Sequence, residues 1–116
     1  MTFVTDMHFL AGFLVALCAI VFSWNALGRR VINAVLGLQI LIGLVALSMH
    51  LSGHEPVVPA LGWHVAGALA AALCYGAASA VGRRAGGGGV SLGFSIVGLV
   101  LVLATMTLGM RMFFHA

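Results

Sequence analysis

Four long apolar stretches alternate with short polar ones along the chain. Their approximate bounds are 7–27, 31–50, 61–81 and 90–113. Each has about the 20 residues that a helix needs to cross the hydrocarbon core of a bilayer. The stretches are continuously apolar rather than alternating, which argues against membrane-spanning β-strands. The pattern predicts an all-α integral membrane four-helix bundle, formed as a single transmembrane domain by residues 1–116.

Short segments with helix-breaking or charged residues separate these stretches. Gly28-Arg29-Arg30 is expected to form the first loop, and Leu51 to Pro59 the second. Residues 83–89 include four consecutive glycines and are expected to form a flexible connection before the last span.

Composition places the chain in a membrane rather than in water. Hydrophobic residues make up 63% of it and charged residues only 6%, too few for a polar surface. Lysine is absent, and four of the five arginines form two pairs beside the spans. The positive-inside rule then puts the paired arginines in the cytoplasm and both termini outside. We therefore expect a multi-pass protein of a bacterial or archaeal plasma membrane, whose net charge of +3 reflects orientation rather than nucleic-acid binding.

The sequence also contains an internal repeat. His8 to Cys18 and His64 to Cys74 each begin with histidine, have two small residues one turn later, and end in Ala-Leu-Cys. A weaker similarity matches Gly37-Leu38 in the second span with Gly98-Leu99 in the fourth. The repeat predicts two helical hairpins related by a pseudo-twofold axis along the membrane normal.

Histidines are concentrated at one side of the predicted membrane. All five lie at the outer ends of spans or in the outer loop: His8, His50, His54, His64 and His115. A single such histidine is more often an interfacial polar residue than a ligand. His8 and His64 differ, because they begin apolar helices, recur in the repeat and lie on helices of the same direction. Such helices are diagonal partners in an up-and-down bundle and face each other across its core.

Two imidazoles on opposite helices would suit a haem iron, because they saturate its two axial positions. Ala11-Gly12 and Gly67-Ala68 lie three and four residues after His8 and His64, on the same helix faces. These small residues could leave room for a porphyrin, or could simply allow close helix packing. The pattern predicts a haem b site with His8 and His64 as ligands and with Gly12 and Gly67 beside it.

Four other polar residues have candidate roles near this site or between the helices. Arg111, near the outer surface, would pair with haem propionates or act as a snorkelling anchor. His50, at the outer end of the second span, would be a reserve ligand or a hydrogen-bond partner for a propionate. Asn33 and Gln39 are expected to hydrogen bond between helices.

Two other functions fit the same composition. Methionines and histidines near the outer surface resemble a soft copper(I) site, which would make the protein a copper-binding or copper-passing module. This group contains Met7, Met49, Met110, Met112, His8, His50 and His115. The other alternative is a non-catalytic structural subunit of a larger membrane complex.

Several short motifs resemble one four-helix half of the haem A synthase family. They are a histidine opening the first helix at His8, Leu38-Gln39-Ile40-Leu41-Ile42-Gly43 in the second span, Leu51-Ser52-Gly53 and Pro56 in the outer loop, and His64. The similarity covers most of the chain. It implies a four-helix membrane bundle that binds haem on its outer side.

Members of that family have eight spans in two halves, each with an outer histidine pair. One pair holds haem b and the other receives the haem substrate; the matching positions here are His8 and His64. With one half, a second site requires a homodimer. The family's catalytic glutamate precedes the first histidine by three residues, where this chain has Thr5, with Asp6 displaced by one. The resemblance thus implies a membrane cytochrome for electron transfer or haem handling, with a quinone or another redox partner, and at most a half-size oxidoreductase of that type.

Overall fold

The computed structural model describes residues 3–115, apart from the side chain of His115. It contains four helices, α1 (Phe3–Phe22), α2 (Ala26–Ser52), α3 (Pro59–Gly82) and α4 (Gly88–His115). All four are long and apolar enough to cross a membrane. The predicted all-α, multi-pass four-helix bundle is therefore confirmed.

The helices run up and down in an elongated bundle about 50 Å long. Each packs mainly against its hairpin partner, α1 against α2 and α3 against α4, and the hairpins meet through α1–α4 and α2–α3. The helices α1 and α3 are therefore diagonal to each other. We call the end with the α2–α3 connection the histidine end, and the end with the α1–α2 and α3–α4 turns the arginine end.

Small side chains let the helices approach closely around the core. The largest fully buried side chain is that of Tyr75 on α3. The other buried apolar residues are Val15, Ala16, Cys18, Ala19, Ile32, Leu36, Ala71, Ala78 and Val102. Many large apolar side chains, including Leu41 and Leu73, are exposed on the outside. Such a surface is suited to lipid, where apolar residues need not be buried in protein.

The first turn differs from the expected Gly28-Arg29-Arg30 loop. Helix α1 ends at Phe22 and α2 begins at Ala26, so these three residues lie in the first turns of α2. Asn25 is the N-cap, and its side-chain oxygen accepts a hydrogen bond from the Gly28 amide at 2.7 Å. A Cβ at Gly28 would collide with the carbonyl oxygen of Phe22. The expectation was wrong because Gly28 permits a tight helix-to-helix approach instead of breaking the helix.

The other two connections are close to those expected. Helix α2 ends at Ser52, and α3 begins at Pro59, a favoured residue in a first helical turn. In the connection between α3 and α4, at the arginine end, α4 already begins at Gly88. The connection between α3 and α4 is therefore shorter than the predicted 83–89. Within it, the backbone of Gly86 has a positive φ of 75°, which glycine adopts without strain.

The packing aligns α2 with α4 differently from the weak sequence similarity that matches Gly37 with Gly98. Gly98 packs against the ring of Tyr75, whereas a Cβ at Gly37 would meet nothing within 4 Å. Gly43 on α2 and Gly109 on α4 lie in the same way against the rings of His8 and His64, and in this register the buried Leu36 corresponds to Val102. The register that the packing supports therefore differs from the register of the sequence similarity.

Candidate functional site

The diagonal histidines meet at the histidine end of the bundle. His8 on α1 and His64 on α3 are both half-buried. Their ring centres are 6.0 Å apart, and the ring planes are nearly perpendicular at 87°. Two metal–imidazole bonds of about 2 Å, with the distance from each nitrogen to its ring centre, would separate two ring centres by roughly 6 Å. The pair predicted from the repeat thus comes together at a spacing compatible with a shared metal ion.

A hydrogen bond to α4 orients the ring of His64. Its Nδ1 lies 2.9 Å from the carbonyl oxygen of Thr105, which can only accept. The neutral ring that satisfies this contact carries its proton on Nδ1 and keeps a lone pair on Nε2. A backbone carbonyl at Nδ1 is the usual outer partner of a metal-bound histidine.

The ring of His8 is held differently. Its Nδ1 is buried and has no hydrogen-bond partner within residues 3–115. Gln39 on α2 lies next to it, and the Gln39 Nε2 donates to the His8 carbonyl oxygen at 2.7 Å. The Gln39 Oε1 is also buried without a partner in the described chain. The two atoms are complementary, because a proton on the His8 Nδ1 could be donated to the Gln39 Oε1 after a small movement of either side chain.

A glycine lies against each histidine ring. A Cβ at Gly43 on α2 would lie 2.7 Å from Cε1 of His8, and one at Gly109 on α4 would lie 3.0 Å from Cε1 of His64. Each hairpin therefore supplies one histidine and one glycine that makes room for it. Sequence reasoning missed these glycines as site residues. The signal was there, because each glycine follows a polar residue, Gln39 or Thr105, by one helical turn.

The predicted glycines, Gly12 and Gly67, serve a different purpose. A Cβ at Gly12 would lie 3.5 Å from Nε2 of Gln39 on α2, and one at Gly67 would collide with the Thr105 hydroxyl on α4. Both face the neighbouring helix of their own hairpin. They allow close helix packing, which is the alternative that the sequence left open, and their role beside a porphyrin stays a prediction.

The histidine in the outer turn of α2 is engaged by the loop that follows it. The His50 Nδ1 lies 3.1 Å from the Glu55 carboxylate, and its Nε2 lies 3.0 Å from the Pro56 carbonyl oxygen. Both ring nitrogens thus contact oxygen atoms of this loop, so the predicted reserve-ligand role would require at least one of these contacts to break. His50 is also one of the histidines of the predicted copper site, and the same contacts engage it there. The side chain of His115, another member of that cluster, lies outside the described residues.

Arg111 is exposed near the end of α4, two residues beyond Gly109. No hydrogen bond or ion pair joins it to the histidine pair in the described part of the chain. Its predicted role with a propionate therefore stays a prediction.

The number of ligands limits what the site could bind. Among the described residues, no group of three or more His, Cys, Asp or Glu side chains could hold a metal ion. A structural zinc site usually needs four protein ligands. A haem iron already has four porphyrin nitrogens and needs only two protein ligands, which equals the number of imidazoles paired here.

A cluster of aromatic rings packs between α1 and α4 at the histidine end. Phe9, next to His8, stacks on Phe113 of α4 with ring centres 3.8 Å apart. Phe13 and Phe114 pack edge-on against the same ring of Phe9. This cluster joins α1 of the first hairpin to α4 of the second at the histidine end.

In comparisons with known proteins, no family model, curated protein or solved structure matches this chain. The resemblance to the haem A synthase family therefore stays a prediction that depends on its short motifs.

Proposed function

We propose that the protein is a membrane b-type cytochrome in which His8 and His64 are the axial ligands of one haem. The main support is the separation of 6.0 Å between the two ring centres across the bundle diagonal. The hydrogen bond from His64 to the Thr105 carbonyl supports it independently, because a proton on Nδ1 leaves the Nε2 lone pair of His64 available to a metal.

The chain's own residues would determine how such a group is held. Gly43 and Gly109 leave space for the two rings, and the stacking of Phe9 on Phe113 joins the two hairpins near them. The carbonyl at Nδ1 of His64 increases the basicity of that ligand. Axial ligation, hydrogen bonding and burial are the features by which a protein sets a haem potential. The bound haem would supply one-electron redox chemistry.

Electron transfer is the role that two protein ligands favour, because they leave no open axial position for oxygen or substrate. The residue at the position of the family's catalytic glutamate is Thr5, which also speaks against hydroxylation. Haem handling is the second form of this proposal. The protein would then bind haem as a substrate to be passed on, as a half-size relative of haem A synthase. The redox partner would be a quinone or a second protein.

We further propose that the histidine end faces outward from a bacterial or archaeal plasma membrane. The two arginine pairs at the opposite end support this orientation through the positive-inside rule. The haem would then lie near the outer face. A homodimer would hold two such sites.

Absorption spectroscopy on protein purified in mild detergent, after expression with ample haem, tests the proposal. We expect a strong Soret band and narrow bands on reduction, typical of bis-histidine haem. His8→Ala and His64→Ala should each abolish this spectrum, and added imidazole should restore it if the variant is folded. His54→Asn is the matched control, because His54 lies in the exposed outer turn and has a φ of 54°, which asparagine tolerates.

Two results would contradict the proposal: a colourless protein that does not take up added haem, or an unchanged spectrum in both alanine variants. Metal analysis of the same sample distinguishes the copper alternative. Protein that contains neither haem nor copper would favour a structural subunit.

A further inference from the structure

A small pocket lies between α2 and α3 at the arginine end, far from the histidine pair. It has a volume of about 40 Å³, room for roughly three water molecules or one small oxyanion. Three of the chain's five arginines line it. The lining residues are Ala26, Arg29, Arg30, Ala78, Ser79, Gly82 and Arg83.

The guanidinium of Arg29 is buried and only partly satisfied there. Arg29 is 8% exposed, and its Nη1 reaches the Ser23 carbonyl oxygen at a long 3.4 Å. Its Nε is buried and has no partner in the part of the chain that the structure describes. Because arginine cannot lose its proton in a protein, the charge must be compensated by another group. A buried charge without compensation is strongly destabilising.

The chain has no carboxylate that could provide this compensation. Its two acidic residues are Asp6 and Glu55. Asp6 is in the first turn of α1 at the histidine end, and Glu55 contacts His50 at the same end. Arg29 and His50 lie near opposite ends of α2, about 30 Å apart at a rise of 1.5 Å per residue.

We propose that this pocket binds a phosphate group, with Arg29 as the buried ligand and the exposed Arg30 and Arg83 at its rim. A guanidinium donates paired hydrogen bonds that match phosphate oxygens. The pocket adjoins both the N-terminus of α2 and the C-terminus of α3, whose dipoles act on an anion in opposite directions, so the attraction depends on the three arginines. At the end of a spanning helix, basic pockets of this kind suit the phosphate of an anionic phospholipid. The same chemistry would accept free inorganic phosphate.

The unfolding temperature of the full chain in a nonionic detergent provides the test. Phosphatidylglycerol, phosphatidylcholine and inorganic phosphate are titrated separately at constant ionic strength. We expect stabilisation by phosphatidylglycerol and none by the zwitterionic phosphatidylcholine. Stabilisation by inorganic phosphate at comparable concentrations would identify free phosphate as the ligand, and its absence would identify the lipid headgroup.

Arginine variants localise the effect. Arg29→Gln should raise the concentration for half-maximal stabilisation about tenfold or more, because it removes the charge-assisted hydrogen bonds of the buried ligand. Where this variant does not fold, Arg83→Gln provides the comparison. Arg84→Gln is its matched control, since Arg84 is an adjacent, exposed arginine that does not line the pocket.

The proposal is overturned if neither phosphatidylglycerol nor phosphate stabilises the protein. It is also overturned if Arg84→Gln weakens the response as much as Arg83→Gln, because the effect would then be one of overall charge. None of these measurements depends on bound haem, so their outcome is independent of the proposed cytochrome.

Discussion

The ring of Tyr75 occupies the space that a side chain at Gly98 would need. A Cβ at that glycine would lie 2.9 Å from Cε2 of the tyrosine. Tyr75 is fully buried, so the ring cannot move outward without opening the bundle. In the first hairpin, the residues at the corresponding positions are Ala19 on α1 and Ile32 on α2, both fully buried. At these positions the large residue lies on α3 in one hairpin and on α2 in the other, so the two hairpins place their large and small residues on opposite helices.

Gly98→Ala should therefore destabilise the bundle. Overpacking of this kind costs about 1–3 kcal/mol, because the added methyl group displaces the ring of Tyr75. Unfolding by a denaturing detergent, followed by circular dichroism, measures the change. Gly37→Ala is the control, since a Cβ there would meet nothing within 4 Å. Equal destabilisation by the two substitutions would show that the contact with Tyr75 does not limit packing.

Tyr75→Phe should have a smaller effect, because it removes a hydrogen bond but keeps the ring. The Tyr75 hydroxyl lies 2.8 Å from the Ser23 Oγ, which links α3 to the end of α1. The loss should be about 1 kcal/mol in the free energy of unfolding. Ser23→Ala should cost a similar amount, and the two changes together should cost less than their sum. Additive effects in this double-mutant cycle would contradict a direct bond.

Thr107→Ala is a suitable reference for both experiments. The Thr107 hydroxyl is exposed and bonds to the Leu103 carbonyl of its own helix at 2.8 Å. Its removal should change the stability by less than about 0.5 kcal/mol.

Substitution of the glycines at the histidine end should disturb the proposed haem site. Gly43→Ala would place a methyl group 2.7 Å from the His8 ring, and Gly109→Ala would place one 3.0 Å from the His64 ring. We expect both to weaken or remove the bis-histidine spectrum, with the larger effect at Gly43. Gly93→Ala on α4 is the control, because it meets nothing within 4 Å. A wild-type spectrum in both site variants would show that the rings are free to move aside.

The contact between His50 and Glu55 should contribute little to stability. The two side chains are exposed to 30% and 65%, and ion pairs of this kind are worth about 0–1 kcal/mol. Glu55→Gln should therefore change the unfolding free energy by less than about 1 kcal/mol, and high salt should reduce the difference further. His50→Ala should retain the haem spectrum. Loss of the spectrum in this variant would restore the reserve-ligand hypothesis.

The sequence predicts the number and approximate positions of the spans because continuous apolar character over about 20 residues is specific to a membrane helix. It also predicts that His8 and His64 meet, since a repeat over two helices of the same direction puts them on a diagonal. It does not predict how each helix is rotated about its axis. With apolar residues on all sides, no hydrophobic stripe marks the core face. The sequence therefore does not show that Gly12 faces Gln39.

The error at the first turn has a different cause. Gly28 looked like a helix breaker, but the N-cap of α2 is Asn25, and Gly28 is required by its close approach to Phe22. This shift of a few residues moves Arg29 from an assumed loop into the helix, where it is buried. The phosphate pocket could not be predicted from the sequence for that reason. The sequence does predict that Asn33 and Gln39 hydrogen bond between helices, because polar amides inside a span must find partners. It does not identify those partners, which are Ser79 and the His8 carbonyl.

The division of the site between the two hairpins also affects how the protein would assemble. Each helix packs more extensively against its hairpin partner than against either helix of the other hairpin, which suits insertion into the membrane one hairpin at a time. The two imidazoles belong to different hairpins, and neither unit alone contains a complete site. Any ligand that bridges His8 and His64 would therefore stabilise the association of the two hairpins, which is the second stage of folding. Its release would weaken the contact between the hairpins.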